Sequence, residues 1–167
     1  MGGGAEPNSM ITLFGNAWKA YKLSDPYPVT RNTRLEFIFT LMQEAEGHAI
    51  CLDRDVNEDT FGGARVRCLM VGGTQFAEWD HVMKTNLLDH EEVSGAYKSY
   101  RVDISISDLF PEMNTDITYI GFIQDNDSDP LSGESAFQAI RLYDDDITII
   151  PLVSDCSIFG AAALESI

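Results

Sequence analysis

The sequence predicts an all-β fold, an antiparallel β-sandwich or jelly roll with at most one short helix around residues 78–93. Apolar residues recur at every second position, which is the period of a half-buried strand and not of a helix. Clusters of Gly, Pro, Asp, Asn and Ser separate these runs at intervals typical of sandwiches. The 167 residues, 44% of them hydrophobic, are enough for one domain with its own core.

Strand-like runs follow one another from residue 34 onward. In the first run, Leu35, Phe37 and Phe39 recur at alternate positions, so one face of that strand is expected to be buried. The last run contains Pro151, which suits an edge strand because proline has no backbone donor. The predicted strands are residues 34–43, 48–52, 66–70, 102–106, 117–124, 137–143 and 147–153.

Turn signals mark the boundaries of the runs. Ser24-Asp25-Pro26 is a turn signal ahead of the first predicted strand, and residues 44–47 separate the first two strands. Residues 1–10 contain three consecutive glycines and no apolar stretch of the kind a signal peptide needs, so they are interpreted as a flexible lead or a cloning remnant. The predicted sandwich domain is residues 11–153, and residues 154–167 form a C-terminal tail.

Charge limits the classes of partner. The chain carries 27 acidic and 11 basic residues, a formal charge of −16. Contacts to nucleic-acid phosphates need clustered Lys and Arg, so a nucleic-acid partner is not expected. Docking on an anionic membrane is disfavoured for the same reason, and no apolar run is long enough for membrane insertion. The carboxylates either maintain solubility or, in part, bind calcium.

Three cysteines are present, without the C-x-x-C spacing of a zinc site. Cys51 and Cys68 fall on consecutive strand-like runs and are candidates for a disulfide across a hairpin. Two buried free thiols are the alternative. Cys156 lies outside the predicted sandwich.

No catalytic signature is evident. The sequence lacks Gly-x-Ser-x-Gly, a P-loop, His-Glu-x-x-His and Gly-x-Gly-x-x-Gly. The histidines His48, His81 and His90 are scattered along the chain. A lyase or hydrolase would need a basic or carboxylate pair in a cleft, and the sequence names no such pair. We therefore expect a protein that is not an enzyme.

Two acidic loops are the candidate calcium sites. Each follows a predicted strand and places carboxylate or amide side chains at alternate positions, from which they can converge on one ion. Neither loop is an EF-hand, because Pro130 and Glu58 stand where the sharp turn needs glycine. The alternative is that Asp and Asn serve only as turn residues. The candidate metal ligands are Asp53, Asp55, Asn57, Asp125, Asp127 and Asp129.

Aromatic side chains in or beside loops are the candidate sugar contacts, because a flat exposed ring can stack on the C–H face of a sugar. Trp79, Tyr97 and Tyr100 are the candidates. The alternative is that each ring caps the core. His48 would contribute if it faced outward, but its alternation with Ile50 favours a core histidine with satisfied hydrogen bonds.

These segments, in their order, resemble a β-sandwich carbohydrate-binding module of the kind attached to carbohydrate-active enzymes. The resemblance covers roughly residues 11–144. It is carried by Gly15-Asn16-Ala17-Trp18-Lys19, Tyr27-Pro28-Val29-Thr30, Thr33-x-Leu35-x-Phe37-x-Phe39, Glu46-Gly47-His48-Ala49-Ile50-Cys51-Leu52-Asp53-x-Asp55, Gly73-Thr74-Gln75, Tyr100-x-Val102, the run 122–127, Ser135-x-Phe137 and Arg141-Leu142-Tyr143.

The resemblance implies a jelly-roll fold, sugar binding without catalysis and, in many members, a structural calcium ion. This chain departs from the pattern in having Cys51 where glycine is expected and Phe76-Ala77 where Trp-Gly is expected. If that tryptophan belongs to the ligand surface of the family, the sugar site here is altered.

The sequence therefore predicts a non-catalytic module that binds an extracellular polysaccharide, with calcium as its cofactor and an extracellular or cell-surface location. Neighbouring domains of a longer chain are further candidate partners. The alternative is a structural or assembly module of a surface or matrix protein, which would use its sandwich edges and an apolar patch on residues 147–167.

Overall fold

The computed structural model describes residues 10–54, 67–78, 82–93, 95–110, 115–127 and 132–145. These residues form ten β-strands and two one-turn 3-10 helices, Leu87–Asp89 and Ser107–Leu109. The strands are β1 (Met10–Phe14), β2 (Ala17–Pro28), β3 (Thr33–Gln43), β4 (Gly47–Asp53), β5 (Cys68–Gly72), β6 (Met83–Lys84), β7 (Glu91–Val93), β8 (Lys98–Ser105), β9 (Asp116–Asp125) and β10 (Glu134–Asp144).

The strands form two five-stranded sheets that enclose one main core. Sheet 1 has the order β1-β10-β3-β8-β7, and sheet 2 has the order β2-β9-β4-β5-β6. All neighbouring strands pair antiparallel except β5 and β6, which are parallel. The prediction of an all-β antiparallel sandwich is confirmed. In the part of the chain that the structure describes, no helix is long and apolar enough to cross a membrane.

Aromatic rings from both sheets fill the core. Phe37 and Phe39 of β3 are fully buried, as their alternation predicted. Phe137 of β10 lies 5.1 Å from Phe39 and 5.3 Å from Phe122 of β9, measured between ring centroids. Burial of such a side chain contributes about 2–3 kcal/mol, so these contacts between the sheets are a main source of stability.

The outer face of sheet 2 carries a second apolar cluster. The two-residue period of β4 predicted one buried face, but both of its faces are buried. Ile50 and Leu52 point into the main core, while Ala49 and Cys51 point outward and are still covered. The half-buried prediction for β4 is therefore wrong, because the segment after β5 packs over this face. The cluster contains Ala49, Cys51, Cys68, Met70, Val82 and Ile123, with Phe76 packed against it.

Cys51 and Cys68 are directly opposite each other on β4 and β5 and form a disulfide. This observation decides between the disulfide and the pair of free thiols. Cys156 lies outside the described residues.

One local prediction is wrong. Ser24-Asp25-Pro26 does not end an element but lies inside β2, where pairing with β9 is interrupted between Lys22 and Tyr27. This irregularity accommodates Pro26, which cannot donate to a neighbouring strand. The expectation of at most one short helix around residues 78–93 is met, since the described residues there form β6, a single 3-10 turn and β7. Strand β6 pairs with β5, and β7 pairs with β8.

Strand β10 contains a bulge that reverses which side chains face the core. Gln138 pairs with Ile38 and Arg141 with Glu36, so β10 has one extra residue between these pairs. Ala139, at the bulge, has a φ of 51°. The predicted strand 147–153, residues 1–9 and the tail 154–167 lie outside the described residues, and the domain limits stay predictions.

Candidate functional site

Trp18 is a large aromatic side chain on an open sheet surface. It pairs with Ile123, which belongs to the cluster on the outer face of sheet 2, so Trp18 lies on that outer face. Because β2 is the edge strand of the sheet, the ring has no strand beyond it and is 48% exposed. Ala20 follows on the same face and presents only a methyl group beside the ring.

Carboxylates lie next to this ring. Asp125, the last residue of β9, is two positions beyond Ile123 and is therefore the diagonal neighbour of Trp18, at a Cβ separation of about 7–8 Å. Asp127 follows in the loop, and its backbone N–H donates to Glu46 Oε2 at 2.8 Å. We call Trp18, Asp125, Asp127 and Glu46 the Trp18 surface.

The three carboxylates repel one another. Burial, followed by the charges of Asp127 and Glu46, raises the pKa of Asp125 above its ordinary value. The side-chain hydrogen bond with Glu46, followed by the Glu46 charge, raises the pKa of Asp127. Both shifts have the direction expected for a carboxyl group whose neighbours are negatively charged. The arrangement is therefore suited to binding a cation or donors such as hydroxyl groups.

A buried chain of hydrogen bonds supports this end of the sandwich. The Ala45 N–H donates to His48 Nε2 at 3.2 Å, so the ring proton is on Nδ1, which lies 3.2 Å from Ser135 Oγ. Ser135 in turn donates to Gln124 Oε1 at 2.8 Å, and Gln124 Nε2 donates to the Gly15 carbonyl at 2.8 Å. His48, Ser135 and Gln124 are completely buried. The chain joins both sheets to the two loops beside Trp18 and Glu46.

The loop after β5 fixes Glu46 from another side. Thr74 N–H donates to the Ala45 carbonyl at 3.0 Å, and Gln75 N–H donates to the Glu46 carbonyl at 2.8 Å. Gly73 permits this approach, since a Cβ at its position would lie 2.3 Å from the Glu46 carbonyl oxygen. The backbone that carries Glu46 is therefore held in place by hydrogen bonds before any ligand binds.

The two acidic loops do not meet at their described ends. Asp53 pairs with Tyr119, whereas Asp125 pairs with Gly47 at the other end of β4, about 20 Å away along the strand. Asp53 Oδ1 lies 3.8 Å from Arg67 Nη1 and accepts a hydrogen bond from its neighbour's backbone N–H. Asp53 is thus engaged by the protein. Among the described residues, no group of three or more His, Cys, Asp or Glu is arranged to hold a metal ion.

The other predicted metal ligands, Asp55, Asn57 and Asp129, lie outside the described residues. The structure therefore describes Asp125 and Asp127 of the second loop and only Asp53 of the first. Glu46, which sequence reasoning did not select, is the carboxylate that joins Asp125 and Asp127.

Two of the predicted sugar contacts are buried. His48 is completely buried and stacks near Phe39 at 5.5 Å, so it is the core histidine that its alternation favoured. Tyr100 is only 6% exposed because it pairs with Phe39 on the core face of sheet 1, so neither residue is available to a ligand. Tyr97 is 54% exposed. Trp79 lies outside the described residues.

Trp18 is the aromatic residue that sequence reasoning missed. Its signal was present, because Lys19 and Lys22 beside it and the alternation of Tyr21 and Leu23 are typical of an edge strand with one polar face. The turn signal at residues 24–26 concealed that strand.

Comparisons with protein-family models, curated proteins and solved structures find no match to this chain. The functional argument therefore rests on the residues themselves.

Proposed function

We propose that this domain is a non-catalytic module that binds a polysaccharide at the Trp18 surface. One observation carries the proposal. An indole ring, 48% exposed on the outer face of an edge strand, lies beside a carboxylate at the end of the neighbouring strand. Stacking on the ring would bury the apolar face of a sugar, and the carboxylates would accept hydrogen bonds from its hydroxyl groups.

Rigidity of the surface supports this proposal. The hydrogen-bond chain from Ala45 to Gly15 and the docked loop after Gly73 fix the backbone beside Glu46 and Asp125. A ligand that meets a preorganised surface loses less conformational entropy, so fewer contacts are needed for useful affinity.

We propose calcium as the cofactor of this surface, with Asp125 and Asp127 among its ligands. Because the described residues contain no ready-made group of three metal-binding side chains, the ion would bind only together with further oxygen ligands. The Glu46 carboxylate, whose Oε2 accepts the Asp127 N–H at 2.8 Å, supports the proposal, since negative charges close together favour a cation beside them. Calcium takes six to eight oxygen ligands, so backbone carbonyls, water or sugar hydroxyl groups would complete the set.

We also propose a jelly-roll topology and an extracellular or cell-surface location. The strand order, with β1 and β3 flanking β10 in one sheet and β2 and β4 flanking β9 in the other, supports a jelly roll. The Cys51–Cys68 disulfide supports an extracellular or cell-surface location, since such bonds persist mainly in oxidising compartments.

Replacement of the exposed indole tests the sugar site. For Trp18→Ala we expect at least a tenfold loss of affinity for the polysaccharide that the wild type binds, equivalent to about 1.4 kcal/mol. The measurement is affinity electrophoresis over a panel of soluble polysaccharides, followed by calorimetry with the best ligand.

Two exposed aromatic residues provide matched controls. Phe14, on the outer face of sheet 1, is 64% exposed, and Tyr97 is 54% exposed. Phe14→Ala and Tyr97→Ala should bind like the wild type. If Tyr97→Ala abolishes binding and Trp18→Ala does not, the site is misplaced.

Calcium is tested separately by thermal melts with calcium and with EDTA. If calcium saturates a site in the folded state only, the midpoint temperature of thermal unfolding should rise by a few degrees, by mass action. Asp127→Asn should abolish that shift, whereas Asp53→Asn should retain it, because Asp53 lies at the other end of β4. An equal calcium shift in Asp127→Asn would exclude this set of ligands.

The alternative function is assembly through a sandwich edge. Met10 and Phe14 of edge strand β1 are 54% and 64% exposed, which favours a contact with another chain there. This alternative predicts that no polysaccharide binds and that Phe14→Ala weakens self-association in sedimentation velocity experiments.

A further inference from the structure

The outer face of sheet 1 gathers charge that the proposed function does not use. Three of the seven arginines of the chain, Arg34, Arg101 and Arg141, lie on adjacent strands of this face. Two of them meet at Glu36, at the centre of the sheet. Arg101 Nη1 donates to Glu36 Oε1 at 3.1 Å, and Arg141 Nε donates to Glu36 Oε2 at 3.0 Å, with a further bond from Arg141 Nη2 to the same oxygen.

The bulge at Ala139 creates this arrangement. Without the extra residue in β10, the alternation from Phe137 would point Arg141 into the core. With it, Arg141 is directly opposite Glu36 on the outer face. The bulge requires Ala139 to adopt a φ of 51°, which is unfavourable for a residue other than glycine. Bulges of this kind commonly re-aim a side chain at functional sites.

Both cations of this cluster are exposed, whereas the carboxylate between them is buried. The Glu36 side chain is only 8% exposed, whereas those of Arg101 and Arg141 are 44% and 57% exposed. Each guanidinium has five N–H donors, and Glu36 uses one from Arg101 and two from Arg141. Glu91 Oε2 also pairs with Arg101 Nε at 3.2 Å. The Glu91 side chain is 67% exposed, so this pair contributes little and Glu91 is easily displaced.

We infer that Arg101 and Arg141, held side by side by Glu36, form a binding site for an oxyanion, namely a carboxylate or sulfate group of a ligand. The buried Glu36 carboxylate orients both guanidiniums, and the exposed Glu91 balances the second charge, so an oxyanion would displace Glu91 from Arg101. The remaining donors present the paired geometry that carboxylate and sulfate oxygens accept. This site is on the opposite sheet from the Trp18 surface and does not depend on the proposed function.

The net charge of the chain makes the proposed site selective among anions. At −16 the protein repels anions in general, so an oxyanion is retained here only through directed hydrogen bonds.

The test is an NMR titration of the 15N-labelled protein with sodium sulfate and with sodium acetate, each against sodium chloride at matched ionic strength. Saturable shifts of the Arg101 and Arg141 Nη–H signals are expected, with no such shift for Arg34, because each of its three guanidinium nitrogens already faces Asp103 or Asp145. A response to acetate alone would assign a carboxylate ligand, and a response to sulfate alone a sulfate ligand.

Variants separate binding from structure. Arg141→Gln should weaken binding at least tenfold, and Arg34→Gln, on the same face, should change it less than twofold. Glu91→Gln removes an exposed competitor and should tighten binding about threefold without an effect on folding. Shifts that rise linearly without saturation, or unchanged binding in Glu91→Gln, would overturn the inference.

Discussion

His48 combines complete burial with a titratable ring. Its Nε2 accepts the Ala45 N–H, and protonation of that nitrogen would break the bond and place a charge in the core. Burial accordingly lowers the pKa of His48 from 6.5 to about 4. The neutral ring is therefore a structural part of the hydrogen-bond chain.

This lowered pKa makes stability depend on pH. Between pH 6.5 and 4 the unfolded chain binds a proton that the folded chain does not, so stability falls as the pH decreases and is constant above that window. The shift corresponds to about 3 kcal/mol. Urea unfolding at pH 7 and pH 4 should show this loss for the wild type relative to His48→Gln. The comparison cancels the contributions of Asp125 and Asp127, and a constant difference between the two proteins would contradict the assignment.

Ala139 is the residue for which a glycine should stabilise the protein. Its φ of 51° costs a residue with a Cβ about 1–2 kcal/mol, and its exposed methyl group contributes no packing. Ala139→Gly should therefore gain about 0.5 kcal/mol after the entropic cost of glycine in the unfolded chain. Ala20→Gly, in the extended part of β2, should lose about 0.5–1 kcal/mol. Chemical denaturation of both variants checks the pair, and a loss in Ala139→Gly would contradict the bulge geometry.

At the scale of elements, the docking of the loop after β5 depends on one glycine. A Cβ on Gly73 would meet the backbone of Glu46 and Gly47, and its φ of 122° is unfavourable for any side chain. Gly72, its neighbour, has open space around it.

Gly73→Ala should therefore destabilise the protein by about 3 kcal/mol or more, and Gly72→Ala should change stability by less than about 0.5 kcal/mol. The paired melts of these two adjacent substitutions check the contact. Equal melting points would mean that the loop does not dock on residues 45–47.

Element by element, the sequence predicted strands best where apolar side chains alternate with mostly polar ones. Phe37 and Phe39 of β3 alternate with more polar positions, and the strand is where the period placed it. Edge strand β2 was missed because Pro26 resembles a turn signal and an irregular edge strand tolerates it. The bulge in β10, which reverses the side chains that face the core, was also unpredictable. Ala139 has a positive φ there, and alanine is not a residue type that indicates a left-handed backbone conformation.

At the scale of the whole molecule, the pairing of distant strands decides which predicted site residues meet. Asp125 and Asp127 are joined by Glu46, some 80 residues earlier in the chain, because β4 and β9 are neighbours. Tyr100 is removed from the candidate surface because it lies opposite Phe39. The local sequence shows the chemistry of a residue and whether it alternates with apolar neighbours. Which strands become neighbours, and therefore which face stays exposed, is decided only in the assembled sandwich.

The outer faces of the two sheets also have different characters. Sheet 2 presents an indole beside carboxylates, and sheet 1 presents paired guanidiniums around Glu36. A polysaccharide contact at the first face and an oxyanion contact at the second would give the domain two independent binding surfaces.

The central claim is that a polysaccharide contacts the Trp18 surface. Its most direct test is a 1H–15N NMR titration with the polysaccharide fragment that binds best. The account predicts that the largest shifts fall on the Trp18 indole N–H and on the amides of Glu46, Asp125 and Asp127, with Tyr97 unchanged. Shifts confined to other residues, or none with any member of the panel, would contradict it.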